Sequence, residues 1–181
     1  PSQKMQGMVN IPVIEDELGF RIATIVDHAG GWIDQPASGT DNFNEEDLVN
    51  IRVQGLWQPT DVLQVESMVV VHRNNGTVPN GETANREQTQ TFGLLTTPSK
   101  EEDYELYNLT VNYDFEHARL TSSSGYINNE LVSYDFSFDF PAAPPPAPPI
   151  DVHFFNLGKK TTVFNQELRL TSSGEGAWQW M

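Results

Sequence analysis

Three short stretches collect side chains that commonly hold ligands. "DHAGGWID" carries Asp27, His28, Trp32 and Asp34; "VHRNN" carries His72 and Arg73; "DVHFFN" carries His153, Phe154 and Phe155. Imidazole and carboxylate groups can ligate a metal. A guanidinium can grip an oxyanion, and an aromatic ring can lie against a sugar or another planar group. The same residue types are also ordinary at strand ends and in loops, so they stand as candidates for ligand contact and no more. His28, His72, His117 and His153 are scattered without metal-ligand spacing, so neither a metal site nor a cofactor is expected. His117 reads as a solvated turn residue.

Catalysis finds little footing. There is no GxSxG, HExxH or glycine-rich phosphate loop. The adjacent acids Glu15-Asp16, Glu45-Glu46-Asp47 and Glu101-Glu102-Asp103 fall in predicted turns or loops. They read as solvated charge, not as a paired acid and base, and no enzyme is expected. Lys and Arg total 10 against 25 Asp and Glu, a formal charge of −15. Nucleic acid phosphates would be repelled, and so would an anionic lipid surface. With no cysteine there is no disulfide and no thiolate ligand. No segment approaches the roughly 20 apolar residues of a membrane helix.

The elements that must position these residues are strands. In "LVNIRVQGLWQ", Val49, Ile51, Val53, Gly55 and Trp57 share one face and Asn50, Arg52, Gln54 and Gln58 the other. In "LYNLTVNYD", Tyr107, Leu109, Val111 and Tyr113 oppose Asn108, Thr110, Asn112 and Asp114. In "FNQELRLTS", Phe164, Leu168 and Leu170 oppose Asn165, Glu167, Arg169 and Thr171. A period of two means strands with one apolar and one polar side. The pattern predicts an all-β antiparallel up-and-down meander of seven strands and a stub: 6–14, 18–28, 47–58, 61–73, 104–114, 117–135, 162–173 and 178–181.

The connections alternate in length. Short turns fall at 15–19, 58–61, 114–117 and 173–177, where Pro59, Gly174 and Gly176 supply turn chemistry. Long polar loops fall at about 28–47, 74–103 and 139–160, the last holding the polyproline stretch 141–149 as a stiff spacer. Alternating short and long connections are the rhythm of an outer-membrane β-barrel, whose short turns face the periplasm. Trp57, Tyr113, Trp178 and Trp180 lie next to short turns, with Tyr126 and Trp32 further up. Such aromatics suit interfacial girdles, or equally an ordinary core.

At the level of whole hairpins the chain resembles the barrel domain of TonB-dependent receptors. "YNLTVNYDFEHARLTSSSGYINN" (107–129) is similar to a hairpin of that family, with Tyr-Asp, a turn, Ala-x-Leu-Thr-Ser and Gly-Tyr. "FNQELRLTSSGEGAWQWM" (164–181) resembles the following one, without its usual Gly-aromatic continuation. "GMVNIPVIEDELGFRIATIVDHAGGWID" (7–34) and "VNIRVQGLWQPTDVLQVESMVVVHR" (49–73) resemble earlier hairpins. The resemblance covers residues 1–181 as a partial barrel domain of four hairpins, about a third of a barrel of roughly 22 strands. It implies a bacterial outer-membrane receptor that binds and takes up a scarce solute, such as a ferric siderophore or other metal chelate, cobalamin or a glycan. The implied partners are that solute, outer-membrane lipid, and the TonB system through a plug region that this sequence lacks. Ligand contacts would come from the outer loops, hence the candidates above.

The rival reading is a soluble all-β module that binds a ligand or carbohydrate. The two differ in where the apolar face goes. In water, an isolated chain is expected to bury Val49, Ile51, Val53, Trp57, Leu109, Val111, Leu168 and Leu170. It would do so by closing as a small barrel, or by self-association through open strand edges.

Overall fold

The computed structural model describes residues 1–34, 39–77, 99–135, 155–173 and 178–181, leaving aside the side chains of residues 134, 135, 155 and 156. The polyproline stretch at 141–149 and the turn glycines Gly174 and Gly176 lie outside the described residues. The described chain is strand and turn throughout. β1 (Gln3–Ile14), β2 (Leu18–Ala29), β3 (Glu46–Thr60), β4 (Leu63–Gly76), β5 (Ser99–Asp114), β6 (Ala118–Asp135) and β7 (Phe155–Ser172) follow in chain order. They form one sheet in the order β1-β2-β3-β4-β5-β6-β7, each pair antiparallel. The predicted meander is therefore present, as an open sheet. β1 and β7 are its two edges, and closure into a small barrel does not occur.

Several expected boundaries move. β5 begins at Ser99 rather than 104 and β7 at Phe155 rather than 162. Both extensions pair residue for residue with β6, which runs up to Asp135. Ladder hydrogen bonding therefore carries these strands past the point where side-chain alternation stops. Residues 178–181 are not a strand, although the Ser172 amide donates to the Trp180 carbonyl at 2.9 Å. The second turn is Asp61-Val62, not 58–61. Pro59 instead sits where the β3–β4 register shifts between Trp57 and Thr60. A residue without an N–H is tolerated at such an irregularity.

The short turns are tied to one another sideways. The Gln58 amide donates to the Glu17 carbonyl at 2.7 Å, Asp114 to Val62 at 2.8 Å, and Ser173 to His117 at 2.9 Å. The ladder thus continues past the strand ends. In the first turn the Glu17 amide donates to the Ile14 carbonyl at 3.2 Å, and Asp16 takes a φ of 55°. That is a left-handed conformation which aspartate tolerates better than most residues.

Because side chains alternate across a pleat, the register sorts them into two faces. One row on the first face runs Val9, Ile22, Val53, Val69, Tyr107, Tyr126, Phe164 from β1 to β7. Met5, Val26, Val49, Ile51, Val71, Trp57, Val65, Leu109, Val111, Leu120, Leu168 and Leu170 share that face. The opposite face carries rows such as Asn10, Arg21, Gln54, Met68, Asn108, Gly125, Asn165.

No second layer covers the apolar face. Val49, Ile51, Trp57, Leu109, Leu168 and Leu170 are all exposed, Leu168 at 70%. Val53 and Val111 are half-buried. Burial of this set within the monomer is thus corrected, since a single sheet offers it nothing to pack against. Among the described residues the fully buried large apolar side chains are Ile33 and Phe43, which sit in a loop.

The turn geometry gives a first expectation. Asp16→Val should lower the unfolding midpoint by an amount worth about 1–2 kcal/mol, because a β-branched residue strains at positive φ. Asp16→Gly should leave the midpoint unchanged or raise it. Urea titration of both variants checks the pair.

Candidate functional site

The polar face is concave. One trough of about 900 Å³ is lined by residues from Asn10 on β1 to Asn108 on β5. Four strand spacings separate those two, roughly 19 Å along the sheet, so the sheet must bend toward this side. Its lining mixes amide and charged residues, among them Asn10, Asp16, Glu17, Arg21, Gln54, Gln64 and Glu66, with apolar ones such as Ile11, Ile14, Phe20, Leu56 and Met68. The trough lies at the short-turn end. Arg21 donates from Nε to Asn10 Oδ1 at 2.7 Å. Thr110 Oγ1 lies 3.1 Å from Ser123 Oγ.

Toward the loops the same face changes twice. Next comes a mostly apolar row, Met8, Ala23, Arg52, Val70, Leu106, Ile127 and Val163. Beyond it is a second polar group. Asn50 Nδ2 lies 3.2 Å from His72 Nδ1. Lys100 Nζ lies 2.9 Å from Glu102 Oε2. That hydrogen bond, helped by the charges of Lys100 and His72, holds the Glu102 carboxyl below its ordinary range against a smaller cost of burial. Asn74 donates to Glu46 Oε1 at 2.8 Å, and Asn129 hydrogen-bonds Glu102. The side-chain oxygens of Asn74 and Asn129 are nevertheless enclosed and without a protein partner. Enclosed acceptors of this kind are costly unless an ordered water or a shifted side chain donates to them.

The sequence candidates do not converge. Asp27 and His72 are on the polar face, with Asp27 Oδ2 at 3.1 Å from Lys4 Nζ. His28 and Arg73, their chain neighbours, are on the opposite face. There His28 Nδ1 lies 2.7 Å from Asp47 Oδ1, and Arg73 reaches Asp103 at 2.5 Å and Glu105 at 4.0 Å. Residues next to each other on a strand cannot serve one site. His153 and Phe154 lie outside the described residues, and of Phe155 only the backbone, opening β7 opposite Asp135, is described. His117 is in the β5–β6 turn and its ring is strongly exposed. Among the described residues no three His, Asp or Glu side chains converge in a way that could hold a metal.

Trp32 and Asp34 belong to a small structure at the base of the β2–β3 loop. Asn44 Oδ1 accepts from the amides of Trp32 at 2.8 Å and Ile33 at 2.7 Å. Asp34 Oδ1 accepts from the Asn42 amide at 2.9 Å, and the Phe43 amide donates to the Ile33 carbonyl at 2.8 Å. Gly31 must be glycine here, since a Cβ would come within 1.9 Å of the Asn42 carbonyl oxygen. Ile33 and Phe43 are buried, whereas Trp32 is 55% exposed. Asp34 is thus engaged in shaping the loop, and Trp32 is the member left displayed.

Sequence reading passed over Arg21, Arg52, Asn50, Glu102 and Asn129 as site members. Their signal was available: isolated basic and amide residues at alternate positions inside strands of an acidic chain. No family model, curated protein or solved structure matches this chain.

Asn44→Ala should release two backbone donors at once. Exchange of the Trp32 and Ile33 amides is expected to quicken roughly five- to 150-fold, which corresponds to about 1–3 kcal/mol for an acceptor lost beside a part-buried donor. Asn44→Asp should preserve the slow rate. Amide exchange by NMR reads both.

Proposed function

We propose that this chain forms part of the wall of a bacterial outer-membrane β-barrel, in a TonB-dependent receptor that binds and takes up a scarce solute. The observation that carries the reading is how the apolar face is bounded. At the short-turn margin, Trp57 Nε1 points to Glu17 Oε1 in the turn at 3.3 Å. At the loop margin, the Tyr107 hydroxyl donates to Glu105 Oε2 at 3.3 Å, beside Tyr126 with ring centroids 6.2 Å apart. Both aromatic residues aim their polar tips away from the apolar band, as residues at a membrane interface do.

On β3 the apolar positions of this face run from Val49, two rows beyond that of Tyr107, to Trp57. That is about nine residues, close to the roughly 9–11 that a tilted strand needs to cross a bilayer. Beyond the loop margin the same face turns to charge: His28–Asp47, Arg73–Asp103 and Lys160–Glu130. At the other end, Asp114 closes β5 on the polar face, where Arg119 at 2.5 and 2.7 Å holds its carboxyl low. The upper edge of the apolar band also slants. It reaches Met5, Val26 and Val49 on β1–β3 but only Tyr107, Tyr126 and Phe164 on β5–β7. Strands inclined to a membrane plane require such a step. The concave polar face would then be the lumen wall. Lipid would cover the apolar face, and neighbouring strands of the barrel would pair with β1 and β7.

A single-tryptophan chain that keeps Trp57, reconstituted in bilayers, tests the wall. Lipids brominated near the headgroup should quench Trp57 more strongly than lipids brominated deep in the acyl chains. A second chain keeping only Trp32 should be quenched by neither. Absence of Trp57 quenching by either lipid overturns the reading. Uptake is checked in the native cells. Loss of the protein should abolish growth on the one scarce solute it carries and spare growth on porin-sized nutrients. Unchanged growth across ferric chelates, cobalamin and glycans would remove the transport role.

A further inference from the structure

We infer that the concave face holds a binding site for a small solute bearing oxyanion groups, with Arg52 as its anchor and Arg21 and His72 beside it. The inference rests on that face being the lumen wall and specifies what the wall recognises. The three residues occupy adjacent strands on one diagonal. Arg21 pairs with Gln54, Arg52 pairs with Ala23 and Val70, and His72 pairs with Asn50. Diagonal neighbours on one face stand roughly 7–8 Å apart, a span that two carboxylates or linked phosphates of one molecule can cover.

What distinguishes the two arginines on this diagonal is that neither has an acid partner, whereas His72 has Glu102 near it. The chain has 25 Asp and Glu for 10 Lys and Arg, and most of its basic side chains are claimed. Lys4, Arg73, Lys100, Arg119, Lys160 and Arg169 each meet a carboxylate. Arg52 makes no ion pair or hydrogen bond among the described residues, and Arg21 meets only a neutral amide oxygen. On their face Arg52 is surrounded by Asn50, Gln54, Ala23, Val70, Ile25, Met68, Arg21 and His72. Arg21 is surrounded by Asn10, Gln54, Gly19, Ala23, Met8, Pro12, Leu56 and Arg52.

No carboxylate touches either guanidinium, and two like charges held side by side repel each other. An oxyanion between them relieves that repulsion and accepts paired N–H donors from either fork. His72 and Asn50 add polar contacts on the loop side. Val70 and Leu106 provide an apolar shelf for the carbon frame of the solute. Both arginines are exposed on the concave side, so the solute reaches them without opening the sheet.

The test uses the full chain in neutral detergent micelles with three probes: benzene-1,3,5-tricarboxylate, its triamide of the same shape, and inorganic pyrophosphate. Calorimetry should find binding of at least one of the two anions and none of the triamide. The Arg52 and Arg21 Nε–H signals should move in the same NMR titration. Arg52→Gln should weaken anion binding at least about tenfold, the loss expected for a charge-assisted hydrogen bond. Lys160→Gln, an equal charge change on the other face, should leave it unchanged.

Triamide binding as tight as the triacid, stationary arginine signals, or equal effects of the two substitutions would overturn the inference. The NMR arm reads the wild-type chain and so survives misfolding of a variant. A negative result here leaves the Trp57 quenching untouched, whereas failure of that quenching removes the lumen itself.

Discussion

Six consecutive antiparallel pairings join each strand to the next, and their register decides which residues share a side. A slip of one residue in any of them would turn that strand's Val, Ile and Leu to the concave face and its Asn and Gln outward. The pairings are unbroken from Gln3–His28 through Asp135–Phe155 apart from shifts beside Pro12 and Pro59. Everything else follows from that ladder: an apolar convex side, a polar trough, and charges gathered beyond the loop margin.

The ladder satisfies the backbone but leaves the apolar face unsatisfied. Covering one large apolar side chain contributes about 1.5–3 kcal/mol. A dozen left in water would outweigh the roughly 5–15 kcal/mol by which a domain is stable at all. A sheet of this shape therefore needs an apolar surrounding, which under the proposed reading bilayer hydrocarbon would supply across all seven strands at once. The polar positions within the band fit the same constraint, because they satisfy each other. Ser124 donates to Gln166 Oε1 at 2.5 Å, and Gln166 donates back to Ser122 at 3.1 Å. Such a closed network lets a few hydroxyl and amide groups sit where water is scarce.

The strands were legible because one-sided burial writes itself as a period of two, and Val49 to Trp57 obeys it almost without exception. The alternation of short turns and long loops was legible for the same reason, since chain punctuation follows the ends of the pattern. The first residues of β7 were not. "FNLGKKT" alternates poorly, and its pairing with β6 comes from main-chain groups that carry no side-chain signature. Pro59 misled the reading of the second turn because a proline marks a turn or a bulge with equal right. The site was least legible. Asp27 with His28, and His72 with Arg73, look like clusters in a linear string, yet a pleat sends each pair to opposite sides. The neighbours that matter lie two residues along or one strand over, and Arg21 meets Arg52 only once the β2–β3 register is known.

The two edges of the sheet are not alike. β1 carries Pro12, which cannot donate to a further strand, and its register breaks just beyond. These features discourage pairing at the turn end of that edge. β7 has neither proline nor register shift over its length from Phe155 to Ser172. The outward-directed N–H and C=O groups, at alternate residues along this 18-residue strand, are a template for another strand. At its last rung the template is already in use: Ser172 gives its amide to the Trp180 carbonyl, and its hydroxyl accepts from the Trp180 amide at 2.9 Å. Trp180 is thereby drawn to the β7 edge at the same end of the sheet as Trp57 and Tyr113. The next strand of a meander would have to begin there. Its side chains would extend both faces, so the apolar band would gain width on the β7 side without any change in register.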